Sequence, residues 1–120
     1  MALITSSEVF KSPRFALLTF AEASGRWPKK YREFDPAFLR MLHPGSFVKV
    51  MATSVSERPV REEVWLVITK LSPVRGKGKH IGEVRTHTGR SEYHGLVLGM
   101  RIHFQFVNVL DMQFNIVQNS

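Results

Sequence analysis

The chain has 120 residues, and 17 lysines and arginines against 10 aspartates and glutamates give a formal net charge of +7. Apolar residues make up 43% and charged ones 22%, the composition of a single folded domain with one core and not of a disordered chain. The lack of cysteine excludes disulfides, cysteine-ligated zinc and thiol catalysis, and no apolar run approaches the ~20 residues of a membrane helix.

Met1–Lys11 has no clear period and no basic segment ahead of a long apolar stretch, so no signal peptide is predicted and a cytoplasmic setting is expected. Ser12-Pro13 reads as a helix start, because serine can accept from a free backbone N–H and proline at the first position gives up nothing. With Phe15, Leu18 and Ala21 or Glu22 at helical spacing and Gly25 as a stop, the first helix is expected over Pro13–Ser24. A strand over Phe15–Phe20 is the competing reading. Gly25–Phe34 is a basic and aromatic connector. Asp35-Pro36 repeats the cap-and-proline signal, and Phe34 with Leu39 has the spacing of a hydrophobic staple. A short helix Pro36–Leu42 would turn Phe38, Leu39 and Leu42 inward.

From Phe47 the signals are those of strands. Phe47–Thr53 alternates, with Val48, Val50 and Ala52 on one face. Glu62–Leu71 contains the unbroken apolar run Val64–Ile68, which predicts a central strand covered on both sides. Ser72–Lys79 is a turn-rich loop, Ile81–Thr86 a weaker strand and His87–His94 a polar loop. Met100–Val107 alternates cleanly, and Asp111–Val117 does so again. Helices followed by a run of meandering strands give an α+β class. The expected fold is one or two N-terminal helices packed on a strongly bent antiparallel sheet, or a small partly open barrel, of about five strands. The chain reads as one domain, with residues 1–35 a helix and basic connector and 36–120 a helix plus β-meander.

Phe38–Met51, Glu63–Thr69, Gly82-Glu83-Val84, Gly95–Phe104 and Val109–Met112 follow one another in an order that resembles the small bacterial YegJ-like family of unknown function and related immunity-protein-like domains. The shared features are turn glycines and core positions. Ser46 and Met100 stand where that family tends to have aspartate after glycine, and Met112 replaces its closing tryptophan. The resemblance implies the same fold and the tight turns at Gly45 and Gly99. It carries over no chemistry, beyond the mode of action of immunity proteins, which bind and neutralise a toxin.

Candidate chemistry is sparse. His80-x-x-Glu83-x-x-x-His87 holds metal-ligand residue types, but His80 and Glu83 would point to opposite faces of a strand, and the five histidines read as surface residues on polar loops. Arg75-Gly-Lys-Gly-Lys79 lacks the spacing of a phosphate loop and reads as a basic hairpin tip. Glu62 and Glu63 would face opposite ways, and no serine has a nucleophile-elbow context. The chain is therefore expected not to be an enzyme and to need no metal or cofactor. The strongest chemical feature is the interleaving of Arg26, Lys29, Lys30 and Arg32 with Trp27 and Tyr31. With Arg75, Lys77 and Lys79 these form the expected partner-binding or phosphate-contacting set. The expected function is a non-catalytic protein that sequesters or occludes a macromolecular partner, an immunity-like or inhibitor-like role, the partner being a protein with an acidic or nucleic-acid-binding surface. The alternative is a basic nucleic-acid-binding domain that contacts phosphates and unpaired bases.

Overall fold

The structure, a computed structural model, describes residues 15–72 and 79–114. Six antiparallel strands curl into a half-barrel: β1 Phe15–Leu17, β2 Phe47–Ser54, β3 Arg61–Lys70, β4 His80–Val84, β5 Arg101–Phe104 and β6 Asp111–Gln113. The order across the sheet is β1-β2-β3-β4-β5, and β6 also pairs with β2. One edge of β2 is thus shared. β1 takes its C-terminal half, with Leu17 opposite Ala52, and β6 its N-terminal half, with Lys49 opposite Asp111.

Alternation decides which side chains meet. Val48, Val50 and Ala52 of β2 face Val64, Leu66 and Ile68 of β3, Val84 of β4, and Ile102 and Phe104 of β5 in one core. Gly82 lets the sheet close over that core. A Cβ there would lie 2.9 Å from Leu66 Cβ and 3.4 Å from Phe104 Cε1, so only glycine lets β4 approach so closely. A break in register between Ile68 and Lys70 adds local twist beside it. Gly45 and Gly99 take positive φ, 100° and 93°, and supply tight turns before β2 and β5.

The other face of the sheet is only partly covered. α1, Phe20–Arg26, lies over Met51, and Leu18, Ala23, Tyr31, Met51 and Leu110 form a second, smaller core there. Along β3, Val64, Leu66 and Ile68 are buried while Trp65 and Val67 are half-buried. The expectation of a strand covered on both sides is corrected accordingly.

Three further expectations need correction. The helix expected over Pro13–Ser24 is instead a strand followed by a helix, so the competing strand reading of Phe15–Phe20 is the nearer one. A capping box sets the helix start: Thr19 Oγ1 accepts from the Glu22 N–H, and Glu22 Oε1 accepts from the Thr19 N–H. Upstream of Thr19 the chain gains a ladder with β2, and Gly25 lies inside the helix instead of ending it. Second, Pro36–Met41 is a 3-10 helix, capped by Asp35 as expected. With three residues per turn, Leu39 and Leu42 line up on the inner side, and Phe38 pairs with Met41 on the outer side, where it is 45% exposed. Third, β5 is shorter than Met100–Val107, because Phe106–Asn108 turns into another 3-10 helix. Asn108 Oδ1 accepts from the Gln105 N–H and Nδ2 donates to the Leu18 carbonyl, which ties this turn to the β1 end. The loop residues 73–78, the start of the expected first helix at Pro13, and residues 115–117 of the last expected strand lie outside the described residues.

Replacing Gly82 with alanine is expected to destabilise the fold by about 1–3 kcal/mol through overpacking against Leu66. Chemical denaturation of Gly82→Ala beside the parent protein measures it.

Candidate functional site

The basic connector begins where α1 stops. The Trp27 N–H donates to the Ala23 carbonyl, and the Trp27 carbonyl then accepts from both Lys30 and Tyr31 N–H groups, a tight turn that reverses the chain. The turn separates the two aromatic rings. Tyr31 is buried in the second core, while Trp27 packs its ring edge-on against Tyr31, 6.1 Å between centroids, and stays 36% exposed. Tyr31 is thus scaffold and not a contact residue, a correction to its expected role. Arg26, Lys29 and Arg32 are exposed around Trp27.

Glu63 of β3 is the anchor of this turn. Its Oε2 accepts from the Tyr31 hydroxyl at 2.6 Å, its Oε1 from Lys30 Nζ at 3.0 Å, and Lys49 Nζ of β2 lies 3.6 Å away. Burial pushes the Tyr31 phenol well above its usual range, and the hydrogen bond and charge of Glu63 push it the same way. Burial also favours the neutral form of Glu63, but the Tyr31 and Lys30 hydrogen bonds and the charges of Lys49 and Lys30 outweigh it and hold the carboxyl below the usual range. Both shifts keep the proton on the phenol. Lys49 also lies over the Trp65 ring, 5.1 Å from its centroid. Arg85, just past β4, donates its N–H to the Trp65 carbonyl and pairs with Glu83 at 3.2 Å.

Arg26, Trp27, Lys29, Lys30 and Arg32 are all exposed on the connector, with Trp27 and Lys30 placed by their contacts to Tyr31 and Glu63, and sequence reasoning left out the sheet residues beside them: Lys49, Glu63, Trp65 and Arg85. Period-2 alternation places Lys49 and Trp65 on the non-core faces of their strands. Only the β2–β3 register sets them side by side. Lys79 is elsewhere, at a cavity of about 290 Å³ between β1 and β5 lined also by His103, Gln105 and Asn108. Arg75 and Lys77 lie outside the described residues.

The histidines are not all on the surface, as had been expected. His80 is buried, stacked on Phe106 at 4.2 Å, and its Nδ1 accepts from the Ser72 N–H. Burial disfavours its charged form. His94 is fully buried at the end of α2, Ser91–His94, a turn of helix inside the expected polar loop. Its Nδ1 accepts from the Leu96 N–H, so Nε2 carries the hydrogen and donates to Glu62 Oε1 at 2.8 Å. Glu62 also accepts from the N–H groups of Gly89 and Arg90. This carboxylate therefore organises residues 89–96, and both histidine nitrogens are occupied structurally. Among the described residues no three or more histidines, aspartates or glutamates gather to hold a metal ion, and no helix is long and apolar enough to cross a membrane. In comparison with known proteins, the chain matches no protein-family model, no curated protein and no solved structure.

Burial also opposes the charge on Glu62, but the hydrogen bonds from His94, Gly89 and Arg90 bring it below the usual carboxylate range. For both glutamates the folded value is the lower one. Their stabilisation is therefore complete above the unfolded value near ~4.3 and is lost as pH falls through the folded value. Glu62→Gln, which keeps only one acceptor oxygen for three donors, is expected to cost about 1–3 kcal/mol near neutral pH. It is also expected to flatten the acid limb of a pH-stability curve measured by urea denaturation.

Proposed function

We propose that this protein is a non-catalytic binding domain that occludes a macromolecular partner carrying an anionic surface, seated on the face built from Arg26–Arg32, Lys49 and Trp65. The observation that carries this reading is Trp27. A large ring that could have been buried is held edge-on against buried Tyr31, exposed, with Arg26, Lys29 and Arg32 around it. An aromatic anchor with a charged rim is how binding surfaces combine affinity with electrostatic steering. Glu63 contributes rigidity, because it ties the turn to the sheet through Tyr31 and Lys30 and so lowers the cost of ordering the face on binding.

The polar groups best placed for chemistry are already engaged. Glu62 and His94 hold a loop, Glu63 holds the connector, and His80 accepts a backbone hydrogen bond.

Heparin and poly-L-glutamate, two polyanions with unrelated backbones, test the reading by calorimetric titration at low and physiological salt. The protein is expected to bind at least one of them. Lys29→Glu with Arg32→Glu is expected to weaken that binding at least tenfold and to reduce its salt dependence, since each cation that meets the polyanion releases counterions. Trp27→Ala is expected to cost about 1–2 kcal/mol of binding, beyond a modest drop in melting temperature from the lost packing on Tyr31. Unchanged affinity in the charge-reversed variant would sink the proposal.

A further inference from the structure

The basic face does not end at the connector. On the outer face of the sheet Lys49 of β2 stands directly opposite Trp65 of β3. On the other side of Trp65 lies Arg85, whose side chain is 55% exposed. One row further along, Val67 is opposite Glu83, and Glu83 is opposite Arg101 of β5. Contacts run without a break from Trp27 to Tyr31, Glu63, Lys49 and Trp65. The cations therefore form a band and not a cluster. It starts at the connector and crosses four strands, a width of about 14 Å at the usual strand spacing.

We infer that this face binds single-stranded nucleic acid, with an unpaired base stacked on Trp27 and the sugar–phosphate backbone crossing the sheet over Lys30, Lys49 and Arg85 toward Arg101 of β5, which is half-buried. The inference rests on the reading that the connector is a binding face, and names its partner. A linear band of cations with an exposed ring at one end matches a linear polyanion whose monomers carry flat rings. Duplex fits poorly, because its bases are stacked away from Trp27 and its major groove is read by a protruding helix or ribbon, which a sheet face does not offer.

Trp65 has a different part from Trp27. Its ring lies beneath the Lys49 ammonium, so it serves as a shelf that holds a phosphate-binding cation in place. Of the carboxylates along the band, Glu63 and Glu83 are each only partly exposed and engaged by Lys30, Lys49 and Arg85, and exposed Asp111 of β6 stands opposite Lys49 at its edge. Ion pairs at such a surface contribute little, so phosphates can share these cations without unfolding the face.

Fluorescence anisotropy of the full chain against labelled oligo-dT, oligo-U and a duplex of equal length, at two salt concentrations, tests this, with poly-L-glutamate as competitor. The single strands are expected to bind at least tenfold more tightly than duplex. Trp27→Ala is expected to lose about tenfold in affinity and Trp27→Phe much less, because a ring remains for stacking. Lys49→Ala and Arg85→Ala are each expected to weaken binding several-fold for oligo-dT and oligo-U alike and to lower the salt slope by about one. Glu83→Gln, which removes a carboxylate from beside the phosphate path, is expected to tighten binding about two- to threefold. Thermal melts of each variant separate lost binding from lost folding, and Arg85→Lys, which retains the charge, is expected to bind close to the parent.

Equal binding of duplex and single strand, or indifference to Lys49→Ala and Arg85→Ala in folded protein, would overturn the inference. Tight binding of poly-L-glutamate with no binding of either oligonucleotide would assign the face to an acidic protein: the inference falls and the broader reading stands. Binding of no polyanion at all would remove both.

Discussion

The structure depends most on the pairing of β2 with β3, matched residue for residue from Phe47 opposite Val67 to Thr53 opposite Arg61. On the inner face that register puts Val48 opposite Leu66 and Val50 opposite Val64, and with Ala52 and Ile68 these make the centre of the main core. On the outer face it puts Lys49 against Trp65 and Met51 against Glu63. A slip of one residue would exchange the two faces and lose core and surface together.

Two adjacent carboxylates translate this register into the rest of the chain. Glu62 and Glu63 follow each other on β3 and so point to opposite faces. Glu62 gathers the backbone of residues 89–90 and the ring of His94 on one side, while Glu63 takes the Tyr31 hydroxyl and Lys30 on the other. Irregular segments from both sides of β3 in sequence are thus fastened to a single strand. Each carboxylate is shielded enough for its hydrogen bonds to count, and each has enough donors to remain ionised despite burial.

For function, the important result is the different fate of the two connector aromatics. Tyr31 uses its hydroxyl to satisfy Glu63 and is buried, whereas the Trp27 indole packs edge-on against it and faces solvent. A phenol can be buried beside a carboxylate because it donates to it. With the tyrosine in that place, the tryptophan becomes the surface ring among the cations of the connector, and Lys30 and Lys49 join that surface to the sheet through Glu63.

Much of this was legible in the order of residues. Alternation in Phe47–Thr53 and Met100–Val107, the Asp35-Pro36 cap and the absence of helical patterns between later strands determined the α+β class, because side-chain period follows directly from backbone geometry. Ser12-Pro13 and Gly25 point to a helix that begins earlier than the structure's, whose start is set by the Thr19-x-x-Glu22 capping box, a signal present in the sequence and left out of that expectation. The sequence also determined that the connector is basic and aromatic, since charge and ring content need no fold. Only the tertiary structure decided that Tyr31 is buried and Trp27 is not, that His94 lies in the interior, and that Lys49, Trp65 and Arg85 continue the connector's surface. Those facts depend on contacts between residues 16 to 32 positions apart in the chain, whose partners are chosen by strand register and burial and not by local propensity.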